Sequence, residues 1–138
     1  MNECSYNIHE VMSMNIKENI IARMENTLKI ASDATRLKIL FCLLDESDVH
    51  APSDCGCGNP GCHCGDESRP FIEKCVNDIA LEVNCSQSLV SHQLKVLKDG
   101  NFVKSRKEKT KIYYSLKDAH VREIIKITHE HVTEDDYE

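Results

Sequence analysis

Apolar positions recur at three- and four-residue steps in five stretches of this chain and alternate in one more. From Asn15, the series Ile16, Ile20, Met24, Thr27 and Leu28, flanked by Ile21 and Ala31, predicts a first helix. Ser32 or Asp33 is the candidate cap of a second helix over 34–44, with Leu37, Leu40, Phe41 and Leu44 as its buried stripe and Cys42 as a small core hydrophobe. A third is predicted over 71–83, with Ile72, Val76, Ile79 and Ala80 inward. A short turn at Asn84, Cys85, Ser86 and Gln87 leads into a fourth, over 86–100. Ser86 is its N-cap, and Leu89, Val90, Leu94 and Leu97 form its apolar face. Gly100 suits the left-handed conformation common just past a helix end. Phe102 and Val103 open a strand, and Ile112, Tyr114 and Leu116 alternate with Tyr113 and Ser115 in a second. The turn between them, over 107–110, lacks the Gly or Asn usual in tight hairpins, so a longer, mobile tip is expected. The last helix is predicted from Asp118 to about Glu134.

Helix, short turn, helix and then a hairpin make a mainly α fold with a β-hairpin wing, a winged helix-turn-helix. The 138 residues suit one domain. We divide them into an N-terminal arm over 1–14, the winged domain over 15–134 and an acidic tail over 135–138. Residues 45–70 interrupt the domain as a loop insertion holding all three prolines and four of the five glycines. No apolar run is long enough to span a membrane, and the N-terminus lacks a basic patch followed by an apolar block. A cytoplasmic location is expected, where eight cysteines serve as thiols or metal ligands and not as a disulfide framework.

The net charge of −6 speaks against nucleic acid until its distribution is considered. Between His92 and Lys111 seven cations face only Asp99 and Glu108, a net of +5, which leaves −11 on the rest of the chain. Screening confines charge effects to about 10 Å, so the local stripe is what a phosphate backbone would feel. The stripe coincides with the polar face of the fourth helix: Gln87, Ser88, Ser91, His92 and Lys95 have the lengths that reach base edges and phosphates from a major groove. Arg106, Lys107 and Lys109 of the hairpin would lie on the backbone or in a minor groove. An ordinary amphipathic surface helix and a plain hairpin are the alternatives.

Two sets of residues have metal-ligand chemistry. Cys55, Cys57, Cys62 and Cys64 form C-x-C-x4-C-x-C on a glycine-rich backbone that can wrap one soft ion such as Zn²⁺, Cd²⁺ or Cu⁺. Cys75 on the third helix and Cys4 on the arm could join them in a thiolate site, while Cys85 is structural. On the last helix His120, Ile124, Ile127, His131 and Glu134 fall at steps of four, three, four and three, so they share one face. The histidines lie about 16 Å apart along the axis, too far for one ion. Asp118 can join His120 only from the N-cap, where the backbone is not yet helical. A two-fold dimer solves the geometry: with two such helices antiparallel, Asp118 and His120 of one copy meet His131 and Glu134 of the other across Ile124 and Ile127. Two imidazoles and two carboxylates suit tetrahedral Zn²⁺. His129 and Glu130 face elsewhere, and solvated polar residues are the bland alternative.

With these residues in view, the chain resembles the ArsR/SmtB family of metal-sensing winged-helix repressors. The resemblance rests on ASDATRLKIL, EKCVNDIA, SQSLVSHQLKVLKDGNFVKSRKEKTKIYYSL and the Asp118, His120, His131, Glu134 set, over roughly 20–134 with the insertion excepted. It implies a cytosolic homodimer, paired through its N- and C-terminal helices, that binds double-stranded operator DNA as apo-protein and releases it when metal binds. The four-residue set on the last helix matches the interhelical site of the zinc- and cobalt-sensing branch. Zn is the metal implied first, with Cd, Pb and Co as alternatives. The family's thiolate site reads E-L-C-V-C-D. Here Cys75 keeps its first cysteine, and Asn77 replaces its second. The competing readings are a thiolate sensor of Cd, Pb or Zn, a non-DNA metal-buffering protein, and a redox sensor working through the C-x-C cysteines. No phosphate-binding glycine loop or nucleophile motif points to an enzyme.

Overall fold

The computed structural model describes residues 8–44 and 71–134, with side chains from Ile16 onward. Cys4 and the insertion cysteines Cys55, Cys57, Cys62 and Cys64 lie outside the described residues, as does the expected tail over 135–138. The elements are α1 (Ile8–Ala31), α2 (Ala34–Cys42), β1 (Lys74–Cys75), α3 (Val76–Val83), α4 (Gln87–Asp99), β2 (Val103–Glu108), β3 (Lys111–Leu116) and α5 (Ala119–Glu134).

The α1 helix starts at Ile8, earlier than the apolar series from Asn15 indicates. Between α1 and α2, Asp33 is the N-cap and its carboxylate accepts from the Arg36 amide at 3.0 Å. Arg36 then fastens three helices: its Nη1 donates to the Ile30 carbonyl of α1 at 2.7 Å, and its Nε to Gln93 Oε1 of α4 at 2.8 Å. The buried side of α2 is Ile39, Leu40 and Cys42, continued by Leu43 and Leu44. This corrects the expected stripe, because Leu37 and Phe41 are exposed. The core of α3 and α4 meets α2 on the Ile39 side, so the helix is rotated from the register that its Leu spacing suggests.

The expected third helix is also corrected. Lys74 and Cys75 are extended and pair antiparallel with Tyr114 and Tyr113 of β3. The helix begins only at Val76, after Cys75 as an extended N-cap. The sheet therefore has three strands in the order β1-β3-β2. Inward positions of α3 are Ile79 and Ala80, while Ile72 and Val76 are half-buried. Asn84 ends the helix in the left-handed conformation at φ 56°.

The α4 helix carries its expected cap, the Ser86 hydroxyl accepting from the Leu89 amide at 3.2 Å. Val90, Leu94 and Leu97 are fully buried, whereas Leu89 is exposed at the start of the helix. Gly100 has φ −84°, not a left-handed angle; Asn101, at φ 60°, makes that turn instead. Glycine at 100 answers to proximity: a Cβ there would lie 2.7 Å from Ile30 Cδ1 of α1. The hairpin is tight, not long-tipped. Glu108 pairs with Lys111, leaving only Lys109 and Thr110 between the strands. Lys109 supplies the positive φ, 55°, that glycine or asparagine usually provides.

The core gathers α2, α3 and α4 with Phe102, Val103, Leu116, Val121 and Ile125. Those last two bring one face of α5 against it. The opposite face of α5 and most of the apolar series on α1 (Ile16, Ile20, Ile21, Met24 and Leu28) stay uncovered.

Candidate functional site

The polar face of α4 stands free of the core. Gln87, Ser88, Ser91, His92 and Lys95 are all exposed on one side of the helix, with Leu94 and Leu97 buried opposite. Gln87 is held before any ligand arrives: its Nε2 donates to Asn77 Oδ1 of α3 at 2.7 Å, across the turn. Asn77, which replaces the second thiolate of the family pattern, thus orients a residue of this polar face. The wing adds Lys107 and Lys109, both exposed near its tip. Arg106 differs from them. Its guanidinium is fastened to Glu73 and Glu108, which keeps it charged and holds the Glu73 carboxyl below its usual range.

At the start of α5, Asp118 acts from the N-cap as the spacing requires: its Oδ1 accepts from the Val121 amide at 3.0 Å and lies 3.7 Å from His120 Nδ1. The two donors meet at an open end of the helix, with the His120 side chain 88% exposed. His131 and Glu134 are exposed at the far end, and Ile124 and Ile127 are exposed between the pairs. Among the described residues no three of His, Cys, Asp and Glu converge within one chain. The four donors fit a zinc ion chemically, imidazole and carboxylate both being its ligands, but only if two chains contribute.

His129 faces the other way, packing on Phe41 of α2 with ring centroids 5.2 Å apart. The two rings help line an open, largely apolar cavity of about 590 Å³ between α2, α3 and α5.

The described cysteines are dispersed. Cys75 donates to Asp78 Oδ2 at 3.1 Å. Cys85 packs against the core beside the helix-turn-helix turn. Burial pushes the Cys42 thiol up to about 11, so at neutral pH it stays protonated, as a core residue and not a ligand. Beside it Lys74 Nζ donates to the Cys42 carbonyl at 2.8 Å and to Glu82 at 2.6 Å. Local periodicity gives no sign of this Lys74 cluster, because Cys42 lies 32 residues away on another helix and Glu82 is brought near only once Lys74 is a strand and Val76–Val83 a helix.

Comparison with known proteins now adds to the geometry. The family model "Bacterial regulatory protein, arsR family" matches residues 72–105, which hold β1, α3, α4 and the start of β2. An uncharacterized HTH-type transcriptional regulator of Methanocaldococcus jannaschii is 39% identical over 74 residues, covering 48% of this chain and 83% of that protein. The chain belongs to the arsR family of bacterial regulatory proteins. It is a winged helix-turn-helix transcriptional regulator and not an enzyme. A transcriptional repressor SmtB homolog of Synechocystis is 41% identical over 64 residues, 46% of this chain, so the match spans about half of that relative's length. A cadmium resistance transcriptional regulatory protein, the CadC homolog of Staphylococcus aureus, is 29% identical over 129 residues, 91% of this chain and 85% of that protein. Among solved structures, the homodimeric winged helix-turn-helix DNA-binding domain of a possible ArsR-family regulator from Mycobacterium bovis superposes with a TM-score of 0.63 at 18% identity. It covers 96% of this chain and 93% of that one, a likeness of fold. Among the described residues no helix is long and apolar enough to cross a membrane.

Proposed function

We propose that the chain is a metal-responsive repressor that binds operator DNA as a homodimer and releases it when metal binds between the α5 helices. The observation that carries this reading is the uncovered face of α5. Two apolar residues stand between two donor pairs, and the face is solvent-exposed in the single chain. Exposed apolar area of this kind marks an interaction surface. The uncovered face of α1 gives a second patch for the same contact.

In the dimer, Asp118 and His120 of one copy stand with His131 and Glu134 of the second, and Ile124 and Ile127 of both fill the seam. Bound Zn²⁺ would supply a fixed tetrahedral link between the two chains. The chain's own residues do the rest. Asp118 keeps the α5 cap while offering its carboxylate, and Val121 and Ile125 transmit the position of α5 to the core beneath α4. The metal-competent arrangement must be the one with lower operator affinity, and operator then weakens metal binding by the same factor. Each α4 would present Gln87, Ser88, Ser91, His92 and Lys95 to a major groove, with Lys107 and Lys109 of the wing beside the backbone. Zn is the metal this donor set suits best, with Cd, Pb and Co as alternatives.

A thiolate sensor is the second reading. The cadmium resistance relative, aligned along most of the chain, favours it. It would use Cys75, with Cys4, Cys55, Cys57, Cys62 and Cys64 as further donors.

Fluorescence anisotropy on the promoter DNA of its own gene, titrated with Zn²⁺ and Cd²⁺ under reducing conditions, separates the two. If only the His120→Ala/His131→Ala variant stays bound in metal, the α5 site is the switch. If that variant releases DNA as the wild type does, and a variant with all five of Cys55, Cys57, Cys62, Cys64 and Cys75 changed to Ser stays bound, the thiolate reading replaces it.

A further inference from the structure

The outer face of the wing is strapped to the short segment that precedes α3. Lys104, Arg106 and Glu108 alternate along β2 and so project from one face of the sheet. Arg106 pairs in register with Tyr113, which pairs in turn with Cys75 of β1. The Arg106 guanidinium crosses the Tyr113 ring, 5.2 Å from its centroid, and reaches Glu73. Its Nε donates to Glu73 Oε1 at 3.1 Å and Oε2 at 3.2 Å, and its Nη2 to Oε2 at 2.7 Å. Its Nη1 donates to Glu108 Oε2 at 2.9 Å. Two residues upstream of Glu73, the Phe71 ring lies 4.8 Å from Lys104 Nζ and 4.2 Å from the Arg122 guanidinium carbon of α5. Two straps therefore cross from β2 over the central strand to residues 71–73.

Each guanidinium nitrogen of Arg106 already donates to a carboxylate, and two carboxylates, Glu73 and Glu108, flank its charge, with Lys104 the further cation acting on Glu73. A DNA phosphate could take only the two N–H groups left over, close to both carboxylates and repelled by them, while the bidentate Glu73 pair keeps the fork turned toward β1. Lys107, by contrast, lies on the opposite face of β2, and Lys109 at the turn. Neither makes an ion pair among the described residues.

We propose that Arg106 is a positioning residue: paired with Glu73, it fixes the orientation of the wing, and the wing's phosphate contacts fall to Lys107 and Lys109. This rests on the DNA-binding reading above. It narrows the role that the basic stripe gave Arg106 and assigns one to Glu73, which the stripe does not contain.

The test is the salt dependence of binding to a fluorescein-labelled duplex of the promoter region upstream of its own gene. Each phosphate contact contributes about 0.9 to the slope of log affinity against log salt. Lys107→Ala and Lys109→Ala should each lower the slope by about twice that step, because each protomer of the dimer loses one contact. Arg106→Gln should weaken binding about two- to fivefold, the scale of an exposed pair, with the slope unchanged. Glu73→Gln should weaken binding equally, and the double variant should be no worse than either single one. A slope lowered by Arg106→Gln, or tighter binding by Glu73→Gln, overturns the proposal: Arg106 would then be a phosphate ligand for which Glu73 competes. Amide hydrogen exchange of the DNA-free protein is the independent arm. Both single variants should raise exchange in β2 to the same extent while α4 stays protected; unchanged β2 exchange also overturns it. A wild-type protein that shows no salt-dependent binding refutes the DNA reading, and the exchange arm still decides whether the straps hold the wing.

Discussion

The α2–α4 core and the outer faces of α1 and α5 obey opposite rules. In the core, the caps and most of the apolar positions find their partners inside the same chain, Leu37, Phe41 and Leu89 excepted. Leu94 and Leu97 are buried to zero exposure, Asp33 and Ser86 cap their helices, and Arg36 joins α1, α2 and α4. On α1 and α5, equally regular apolar series meet no partner among the described residues: Ile16, Ile20, Met24 and Leu28 are exposed, and so are Ile124 and Ile127. Periodicity announces a face but not which molecule covers it. A reader of nucleic acid needs a rigid helix, which one chain supplies. A switch needs an interface that can rearrange, and two chains are the natural source of one.

Breaking the core side should cost most. Leu94→Ala leaves a cavity at a fully buried position and should destabilise the protein by about 2–5 kcal/mol in urea unfolding. A cost below about 1 kcal/mol would mean that α4 is less tightly supported than its burial indicates. Breaking the outer side should leave each protomer folded. Ile124→Asp with Ile127→Asp should raise the dimer dissociation constant at least about tenfold, read by sedimentation at several concentrations, with helical content intact. An unchanged association state would remove α5 from the interface.

Two smaller changes sharpen the contrast within the folded unit. Lys109→Gly should relieve a left-handed backbone at the hairpin turn and raise stability by about 1 kcal/mol in thermal unfolding. Because Lys109 is also a proposed phosphate contact, the same variant should bind DNA more weakly. Smallest is the pH response of the Lys74–Glu82 pair. The Lys74 hydrogen bond holds the Glu82 carboxyl below its usual range. Its contribution is therefore present above the unfolded value, about pH 4, and lost as pH falls through the folded one. Burial is the largest single influence on Lys74 and opposes its charge, but the Glu82 hydrogen bond and charge together with Cys42 outweigh it and raise the Lys74 pKa, so the pair persists through neutral pH and fails only in strong alkali. Glu82 is half exposed, so solvent screens the pair. Glu82→Gln should therefore flatten the acid side of the stability curve by less than about 1 kcal/mol; an unchanged acid limb would count against the pair.

Much of the helix-turn-helix was legible because its signals are local. A capping serine, a 3.6-residue apolar period and an alternating hairpin each state their own structure within a few residues. The misreadings share one cause. Lys74 and Cys75 are a strand because β3 is there to pair with them, and Val76 continues the same stretch as helix. Leu37 and Phe41 are exposed because α3 and α4 reach α2 from the Ile39 side. Gly100 lies where α1 passes, so that a Cβ there would press on the Ile30 side chain, while its backbone angle is ordinary. The donor set on α5 was legible as a shared helix face, and its Asp118 cap follows from backbone chemistry alone.

Local sequence sets the order of the helices and the hairpin, the polar face of α4, the basic stripe and the spacing of Asp118, His120, His131 and Glu134, since all of these follow from short-range periodicity and residue chemistry. Three pairings come from the tertiary fold alone: Arg106 is fastened to Glu73, Gln87 is held by Asn77, and Lys74 reaches the Cys42 carbonyl. Those pairings join residues from different elements, whose relative placement is set by how their apolar faces close together, and no local pattern encodes the closing.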